Sequence, residues 1–467
     1  MATAQYIKKD GIIIIGAGLC GSLLGIRLAQ RGYEVHIYES RPDMRKAKID
    51  GGRSINLALS DRGIKALELI GMQHLVERDG IPLYGRMIHP AEGEATYMPY
   101  SGRSGEAIHS ISRGGLNKSL LEETEKYPNI HLYFNQRCVD VNFDEHNIRF
   151  ENGKRGEQYT LECERILATD GAGSAVRRAM MRHTTEKRFN FSQDFLTHGY
   201  KELSIPAADE KGNFRIEKNA LHIWPRGTQM LIALPNLGGS FTVTLFQDFE
   251  GPDGFNALNT PEKIHSFFDK YYPSAKANMP DLVNDFLTNP SANLGTIKCY
   301  PWQINHFSLL MGDAAHAIVP FYGQGMNCAF EDVCVLDDLM DQNGDNWVEI
   351  FDRFQENRKP DGDAIADLAV DNFYEMRTST TSLLFQRKKA LETKMEQAGL
   401  PYFSKYALVT FRPDLKYREA LVRGRLQDDF LLEYCKTVTD INQVDYVQLQ
   451  ADVEAYIKTA LQKSEIY

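Results

Sequence analysis

The sequence predicts an α/β fold in which a parallel-sheet domain carries an inserted antiparallel sheet and is followed by a helical C-terminal module. Three observations predict it. A strand, helix, strand unit opens the chain at residues 12–38, short strands separated by Pro, Gly and Asn turns fill 197–246, and the pattern beyond Asp361 is helical almost to the end. The chain has 467 residues, which at roughly 150 per domain is enough for two or three domains.

The opening unit contains a glycine fingerprint. Residues 12–15 form the first strand, 22–30 have apolar residues at helical spacing, 34–38 form the second strand, and Gly16, Gly18 and Gly21 lie at the first turn. Such a turn places backbone N–H groups and the positive end of a helix where a pyrophosphate can bind. Glu39 ends the second strand, where a carboxylate can accept hydrogen bonds from ribose hydroxyls and would repel a 2′-phosphate. The unit therefore predicts a Rossmann-like fold for FAD or NAD; the alternative is a glycine turn that serves packing alone.

The domain boundaries follow from the later strands. Residues 197–205, 220–224, 229–234 and 240–246 predict the antiparallel sheet, and a strand at 308–311 precedes a Gly-rich turn and a helix, so the first domain resumes there. We expect a discontinuous cofactor-binding domain, a substrate domain and a helical module with a break at 399–401. The predicted ranges are 1–185 with 300–365, then 186–299, then 366–467, with 84–104 contributing to the substrate site.

Composition excludes several classes of function. Lys plus Arg number 53 and Asp plus Glu 63, a net charge of −10, which gives no general attraction to nucleic acid or anionic lipid. Seven scattered Cys without a C-x-x-C pair argue against a disulfide framework or a zinc site, and we expect no metal. No stretch approaches the roughly 18–20 apolar residues of a membrane helix. We expect small-molecule partners and a reducing, cytoplasmic location.

Two further segments indicate a flavin. Residues 312–316 with Pro320 and 323–327 resemble the flavin-contacting segment of the single-component FAD-dependent aromatic hydroxylases, and residues 170–174 with Arg177 resemble their Asp-Gly segment. An Asp after a strand can bind ribityl hydroxyls, and the following helix directs its positive end at the flavin. A strand, turn and helix packed for their own sake, or an ordinary loop at 170–174, are the simpler alternatives.

Four longer stretches narrow the match. Residues 52–60, 85–89, 221–226 and 316–327, in this order, resemble the kynurenine 3-monooxygenase family, and the resemblance extends to about Arg423. It implies contacts to the amino-acid end of kynurenine from Arg86, Tyr100, Asn372 and Tyr406, and an apolar wall of Leu221, Ile232, Phe246 and Phe321. Arg86 is chemically suitable, because a guanidinium can bind a carboxylate through two hydrogen bonds. The alternatives are a surface ion pair for Arg86 and ordinary core roles for the aromatic and apolar residues.

The fingerprint and the resemblance together predict the cofactor-binding residues. They are Gly16, Gly18, Leu19, Gly21, Glu39, Arg41, Ala58, Arg113, Asp170, Asp313, Gly325, Met326 and Asn327. The resemblance also implies the reaction: NADPH reduces FAD, O2 forms a flavin C4a-hydroperoxide, and L-kynurenine becomes 3-hydroxykynurenine. An aniline nitrogen already activates its ortho carbon, so no catalytic acid or base is required, and we expect a structural role for His316.

One departure from the family bears on location, and two alternative functions remain open. Eukaryotic members of the family carry a hydrophobic C-terminal anchor, whereas residues 454–463 are too polar to span a membrane, so we expect a soluble, bacterial-type member. Within enzymes, the rival is an FAD-dependent hydroxylase of another aromatic acid. The rival of another class is a flavoprotein whose C-terminal helices bind a protein partner.

Overall fold

The first unit of the fold is the one that the glycine fingerprint predicts. The computed structural model describes residues 5–6, 11–46, 56–183, 188–378, 382–438 and 440–464, so residues 52–55 of one family-like stretch lie outside the described residues. Strand Gly11–Ile15, helix Leu19–Gln30 and strand Glu34–Glu39 form a βαβ unit with parallel strands. All five residues of the first strand are buried, as expected for a parallel strand covered on both faces.

This unit belongs to a six-stranded sheet, in which four neighbouring pairs are parallel and one edge pair is antiparallel. In spatial order its strands are Gln303–Ile304, Ser308–Leu310, Ile166–Ala168, Gly11–Ile15, Glu34–Glu39 and Ile130–Phe134. The strand at 308–310 pairs with the strand at 166–168. The first domain therefore resumes after an insertion, as predicted.

The insertion contributes five strands to a seven-stranded sheet, and two strands from residues 85–99 complete it. In spatial order its strands are Ser291–Tyr300, Asn190–Ile205, Phe241–Asp248, Gln229–Pro235, Ala220–Arg226, Gly85–Ile88 and Thr96–Pro99. The predicted strands are confirmed, but the first begins at Asn190 rather than at 197, because it continues across a register shift to pair with Ser291–Tyr300. Gly85–Ile88 pairs in parallel with Ala220–Arg226, which places Arg86 opposite Leu221.

Two small sheets complete the β structure. One contains Gln5–Tyr6, Gln158–Glu162, Asn147–Asn152 and Gln136–Asn142, and the other contains Asn56–Leu59, Ile108–Ser112 and Ile81–Leu83. The helices of residues 61–343 are Asp61–Leu69, His74–Asp79, Arg113–Thr124, Ala175–Arg182, Pro261–Tyr271, Pro273–Lys276, Leu282–Thr288, Asp313–His316, the 3-10 helix Pro320–Tyr322 and Gly325–Asn343.

The C-terminal region is helical, as predicted. Its helices are Trp347–Thr378, Leu383–Gln397, Lys405–Thr410, Tyr417–Thr437, the 3-10 helix Ile441–Gln443 and Tyr446–Ser464. The predicted break is present: one helix ends at Gln397, and Gly399 follows with a φ of 71°. Helix Trp347–Thr378 runs across the proposed boundary at 365/366, and the division into domains stays a proposal. In the part of the chain that the structure describes, the helices are too short or too polar to cross a bilayer.

Candidate active site

The largest cavity of the site, which we call the cofactor cavity, has a volume of about 870 Å³ and lies at the carboxyl ends of the parallel strands. Ligands of open α/β sheets bind at this edge. Most of the predicted cofactor residues line it, namely Gly16, Gly18, Leu19, Glu39, Arg41, Ala58, Arg113, Asp170, Asp313, Gly325 and Met326. Its volume lies near the upper end of the roughly 300–1,000 Å³ typical of ligand sites.

The three fingerprint glycines have different roles. Gly16 has a φ of 102°, and a Cβ there would lie 2.7 Å from the carbonyl oxygen of Thr169. A Cβ on Gly21 would lie 2.0 Å from the Gly16 oxygen, so this glycine permits close packing of helix against strand and does not itself line the cavity. A Cβ on Gly18 would meet no described atom within 4 Å, which leaves the backbone open to a phosphate.

Glu39 is held ionised at the end of its strand. Its Oε2 accepts a hydrogen bond from Ala17 N at 2.9 Å, and its Oε1 accepts one from Arg41 Nε at 2.8 Å. Burial by itself raises the pKa of Glu39, but the Arg41 guanidinium and these hydrogen bonds outweigh burial and lower it. A carboxylate in this position can accept hydrogen bonds from the ribose of an ADP group.

Asp170 provides a test of whether a ligand fits the cavity. Its Oδ2 accepts a hydrogen bond from Ala175 N at 2.7 Å, whereas its buried Oδ1 has no hydrogen-bond partner among the described residues. Buried polar atoms in proteins nearly always have a partner. Because Asp170 lines the cofactor cavity, a hydroxyl or amine of FAD can supply the missing donor, and the cavity residues fit that cofactor.

Asn327 was predicted as a cofactor contact, and the structure places it behind the cavity wall. The side chain is fully buried, and its Nδ2 donates to Ala58 O and to Gly323 O, both at 2.8 Å. Its Oδ1 accepts a hydrogen bond from Ser60 N at 2.9 Å. Asn327 therefore joins two backbone segments that line the cavity.

A second cavity, which we call the substrate cavity, adjoins the first. Its volume is about 90 Å³, and four residues line both cavities, namely Asn56, Ala58, Pro320 and Gly323. Six predicted substrate residues line it, namely Arg86, Leu221, Ile232, Phe246, Phe321 and Tyr406. The sheet explains part of this grouping, because strand pairing sets Arg86 beside Leu221, and the strand of Phe246 lies two strands from that of Leu221.

Arg86 is the cation of the substrate cavity. Its side chain is 6% exposed, and its guanidinium carbon lies 4.9 Å from the ring centre of Tyr406 and 5.5 Å from that of Tyr100. Its Nε has no hydrogen-bond partner among the described residues, and the nearest carboxylate oxygen, on Glu375, lies 3.8 Å from Nη1. A buried guanidinium with an unused donor can bind a carboxylate.

Two predicted substrate residues lie behind the cavity lining. The Tyr100 ring stacks on Tyr406 with centres 4.7 Å apart, and its buried hydroxyl has no hydrogen-bond partner among the described residues. Asn372 Nδ2 donates to Phe321 O at 2.6 Å, so this amide fixes the backbone of the wall. Direct contact of either residue with a substrate stays a prediction.

Sequence reasoning missed Glu375. This carboxylate, whose side chain is 17% exposed, lies beside Arg86 and forms an ion pair with Lys405 at 3.4 Å, and Lys405 in turn lies 2.5 Å from Asp428. Burial raises the pKa of Glu375, but Lys405, Lys388 and Arg86 together lower it. The signal was its position three residues after Asn372, because residues three apart share one helix face. Glu375 itself does not line the substrate cavity. Residues that do line it and were not predicted as substrate residues include Asn56, Ile108, Tyr200, Leu234, Thr242, Thr244, Tyr322 and Met376.

His316 lies outside both cavities, in agreement with the structural role expected for it. Its side chain is buried, and its Nε2 lies 2.7 Å from Asp332 Oδ2. The described residues that line the substrate cavity include no His, Asp or Glu. The described lining of the substrate cavity therefore offers no imidazole or carboxylate for proton transfer.

Comparisons with known proteins agree with this geometry. A family model described as FAD binding domain matches residues 10–369. The chain is 46% identical over 441 residues to kynurenine 3-monooxygenase of Myxococcus xanthus (strain DK1622), and the aligned region covers 94% of this chain and 93% of that protein. It is 41% identical over 468 residues to kynurenine 3-monooxygenase of Dictyostelium discoideum, with 97% and 99% covered.

Solved structures show the same fold. A tetrameric form of 2-methyl-3-hydroxypyridine-5-carboxylic acid oxygenase aligns with a TM-score of 0.65 at 19% identity, over 85% of this chain and 99% of that one. The p-nitrophenol 4-monooxygenase PnpA from Pseudomonas putida DLL-E4 aligns with a TM-score of 0.65 at 16% identity, over 92% and 98%. At these identities the likeness concerns the fold alone.

Proposed function

Because the chain belongs to the kynurenine 3-monooxygenase family of FAD-binding-domain proteins, and is thus an FAD-dependent aromatic monooxygenase, we propose that it converts L-kynurenine to 3-hydroxykynurenine. In this proposal NADPH is the reductant and O2 the source of the added oxygen atom. Bound FAD would supply the hard chemistry, which is acceptance of a hydride and transfer of one oxygen atom to the ring. The protein supplies binding, orientation and exclusion of water.

The observation that carries the proposal is the buried Arg86 with its unused Nε at one side of an apolar cavity that opens toward the cofactor. A planar guanidinium binds a carboxylate through two parallel hydrogen bonds. Glu375, 3.8 Å away, provides the complementary negative charge for an α-amino group. An α-amino acid carries both charges, so this pair favours kynurenine over an aromatic acid that lacks the amino group.

The apolar wall orients the aromatic ring. Leu221, Ile232, Phe246 and Phe321 line the substrate cavity, and the Phe246 and Phe321 rings lie 4.9 Å apart at a tilt of 53°. Rings prefer offset or tilted contacts of this kind. With its carboxylate on Arg86, the aniline ring of kynurenine would extend along this wall toward Ala58 and Gly323, where the two cavities meet.

Two further properties of the cavity suit this reaction. The ortho carbon of an aniline is already nucleophilic, which is consistent with a lining without His, Asp or Glu among its described residues. The apolar wall also keeps water from the activated oxygen, which would otherwise be lost as hydrogen peroxide. The cavity of about 90 Å³ is small for a ligand site, so substrate entry requires its walls to separate.

The test uses the purified holoenzyme with NADPH and L-kynurenine, and the product is identified by mass spectrometry. We expect a mass increase of one oxygen and NADPH consumption equal to product formed. The controls are an aromatic acid without the α-amino group and a phenyl analogue without the aniline nitrogen. Equal hydroxylation of the acid without the α-amino group would favour the rival function, and NADPH consumption that no aromatic compound changes would contradict hydroxylation.

A further inference from the structure

A buried charged cluster lies directly behind the cofactor cavity. It contains His316, Asp332 and Arg358, which are 4%, 0% and 3% exposed, and the thiol of Cys328. His316 Nε2 lies 2.7 Å from Asp332 Oδ2, and Arg358 Nε donates to Asp332 Oδ1 at 2.8 Å. The proposed reaction uses none of these groups. Burial of so many charged groups is costly unless each is paired, so the cluster requires an explanation.

The cluster is a hydrogen-bonded network and not a metal site. The donor atoms of His316, Cys328 and Asp332 lie close enough together to meet one ion. Arg358, however, already bonds to two of these residues, because its Nε donates a hydrogen bond to Asp332 and its Nη2 lies 3.3 Å from Cys328 Sγ. Burial lowers the pKa of His316, but Asp332 and Cys328 raise it well above its ordinary value, which makes His316 a charged partner of the carboxylate.

Asp332 holds both ends of one short segment. Its Oδ2 accepts a hydrogen bond from Gly312 N at 2.8 Å and contacts His316 Nε2 at 2.7 Å. The four-residue helix Asp313–His316 lies between these two contacts, and Asp313, its first residue, lines the cofactor cavity. The carboxylate therefore fixes the position and direction from which Asp313 enters the cavity.

Arg358 connects this segment to the substrate side. It belongs to helix Trp347–Thr378, which also carries Asn372, bonded to the Phe321 backbone, and Glu375, beside Arg86. A second bond, from Arg358 Nη1 to Glu331 Oε2 at 2.8 Å, holds the guanidinium in place. The long helix thus contacts the flavin segment through Arg358 and Asp332, and it reaches the substrate wall roughly four to five turns further along, at 3.6 residues per turn.

We infer that His316, Asp332 and Arg358 are positioning residues for the flavin, which set Asp313 in the cofactor cavity and join its segment to the helix that borders the substrate cavity. They act through the segment and do not touch the reacting atoms. The inference rests on FAD binding and not on the identity of the aromatic substrate. Its test therefore measures FAD and leaves kynurenine out.

The experiment measures the FAD dissociation constant of the apoprotein by flavin fluorescence, together with the visible circular dichroism of the bound flavin. For Asp332→Asn we expect FAD to bind about 10- to 100-fold more weakly, since a charge-assisted hydrogen bond is lost, and the dichroism to change. The matched control is Asp337→Asn. Asp337 is a buried carboxylate of the same helix Gly325–Asn343. It accepts a hydrogen bond from Arg27 Nε at 2.6 Å and does not line the cofactor cavity.

Conservative variants separate positioning from a general loss of stability. His316→Gln keeps an N–H donor for Asp332 and should restore most of the FAD affinity that His316→Ala loses. The two His316 variants also test the inference if Asp332→Asn does not fold. The inference is overturned if FAD affinity and dichroism stay within about twofold of wild type in Asp332→Asn or His316→Ala, or if Asp337→Asn weakens FAD binding to the same extent.

Discussion

Replacing Arg86 by Ala should weaken kynurenine binding by about 2–4 kcal/mol, or about 30- to 900-fold. Truncating one partner of a buried, hydrogen-bonded charge pair costs about 2–5 kcal/mol. Glu375 lies 3.8 Å from Nη1 and already balances part of the guanidinium charge, so we expect the loss to stay below the upper end of that range. FAD should stay bound, since Arg86 does not line the cofactor cavity.

The Arg86→Ala variant should fold, because Glu375 keeps its ion pair with Lys405 at 3.4 Å. The assay is a titration of L-kynurenine against the absorbance of the bound flavin. Arg86→Lys should restore part of the affinity, since an ammonium supplies charge without the planar pair of donors. The control is Arg103→Ala, which removes a cation stacked on Phe403 outside the substrate cavity. Near-normal affinity in Arg86→Ala would refute the assignment of Arg86 to the carboxylate.

Three other predictions address the fold and its response to ligands. Gly21→Ala should destabilise the protein by about 3 kcal/mol, because the new Cβ would lie 2.0 Å from Gly16 O. Gly18→Ala should leave the urea unfolding of the apoprotein unchanged and should weaken FAD binding. Equal effects of the two variants on urea unfolding would contradict this prediction. NADPH should reduce the flavin at least about tenfold faster when kynurenine is bound, because the small substrate cavity must open. If kynurenine binds the open state more tightly than the closed state by about 1.4 kcal/mol, the ratio of the two states shifts tenfold. Equal rates of flavin reduction with and without kynurenine in anaerobic stopped-flow traces would exclude gating. Burial, His222 and Arg226 lower the pKa of His89 to about 4, so the folded chain binds fewer protons than the unfolded chain between about pH 4 and 6.5, and stability falls as the pH falls through that window. His89→Asn should remove roughly 1 kcal/mol of this loss of stability, a figure discounted for the partial exposure of His89. The measurement is urea unfolding at about pH 5 and 7.5, with His265→Asn, at an exposed position, as the control. An unchanged pH dependence in His89→Asn would contradict the prediction.

The sequence was most informative where a residue type is tied to one local conformation. The Ile run ending at Ile15 and the glycines after it predicted the first strand, turn and helix, because period, glycine spacing and a terminal carboxylate at Glu39 all specify the same unit. The break near Gly399 was predictable for the same reason. The start of the long strand at Asn190 was not, since its first half is defined by pairing with residues 295–300, which lie 100 to 110 positions later.

The site was predicted less completely, because its roles depend on contacts across the fold. The family resemblance implied a cofactor contact for Asn327, whereas its amide is used to join Ala58 and Gly323. Asn372 likewise binds the backbone of Phe321. An amide looks the same in a sequence whether it faces a ligand or a carbonyl group. Glu375 was missed because a charged residue in a helical stretch ordinarily indicates a solvated face.

The opening between the two cavities has a property that follows from its glycine. A Cβ on Gly323 would lie 2.9 Å from the Cβ of Ala58, and Asn327 holds the carbonyl oxygens of both residues. On this side the opening is therefore bounded by backbone and one methyl group, which do not change rotamers as a larger side chain would. The proposed cofactor and substrate would therefore meet beside an edge that side-chain rotation does not change, and the widening that substrate entry requires would have to come from the other walls of the substrate cavity.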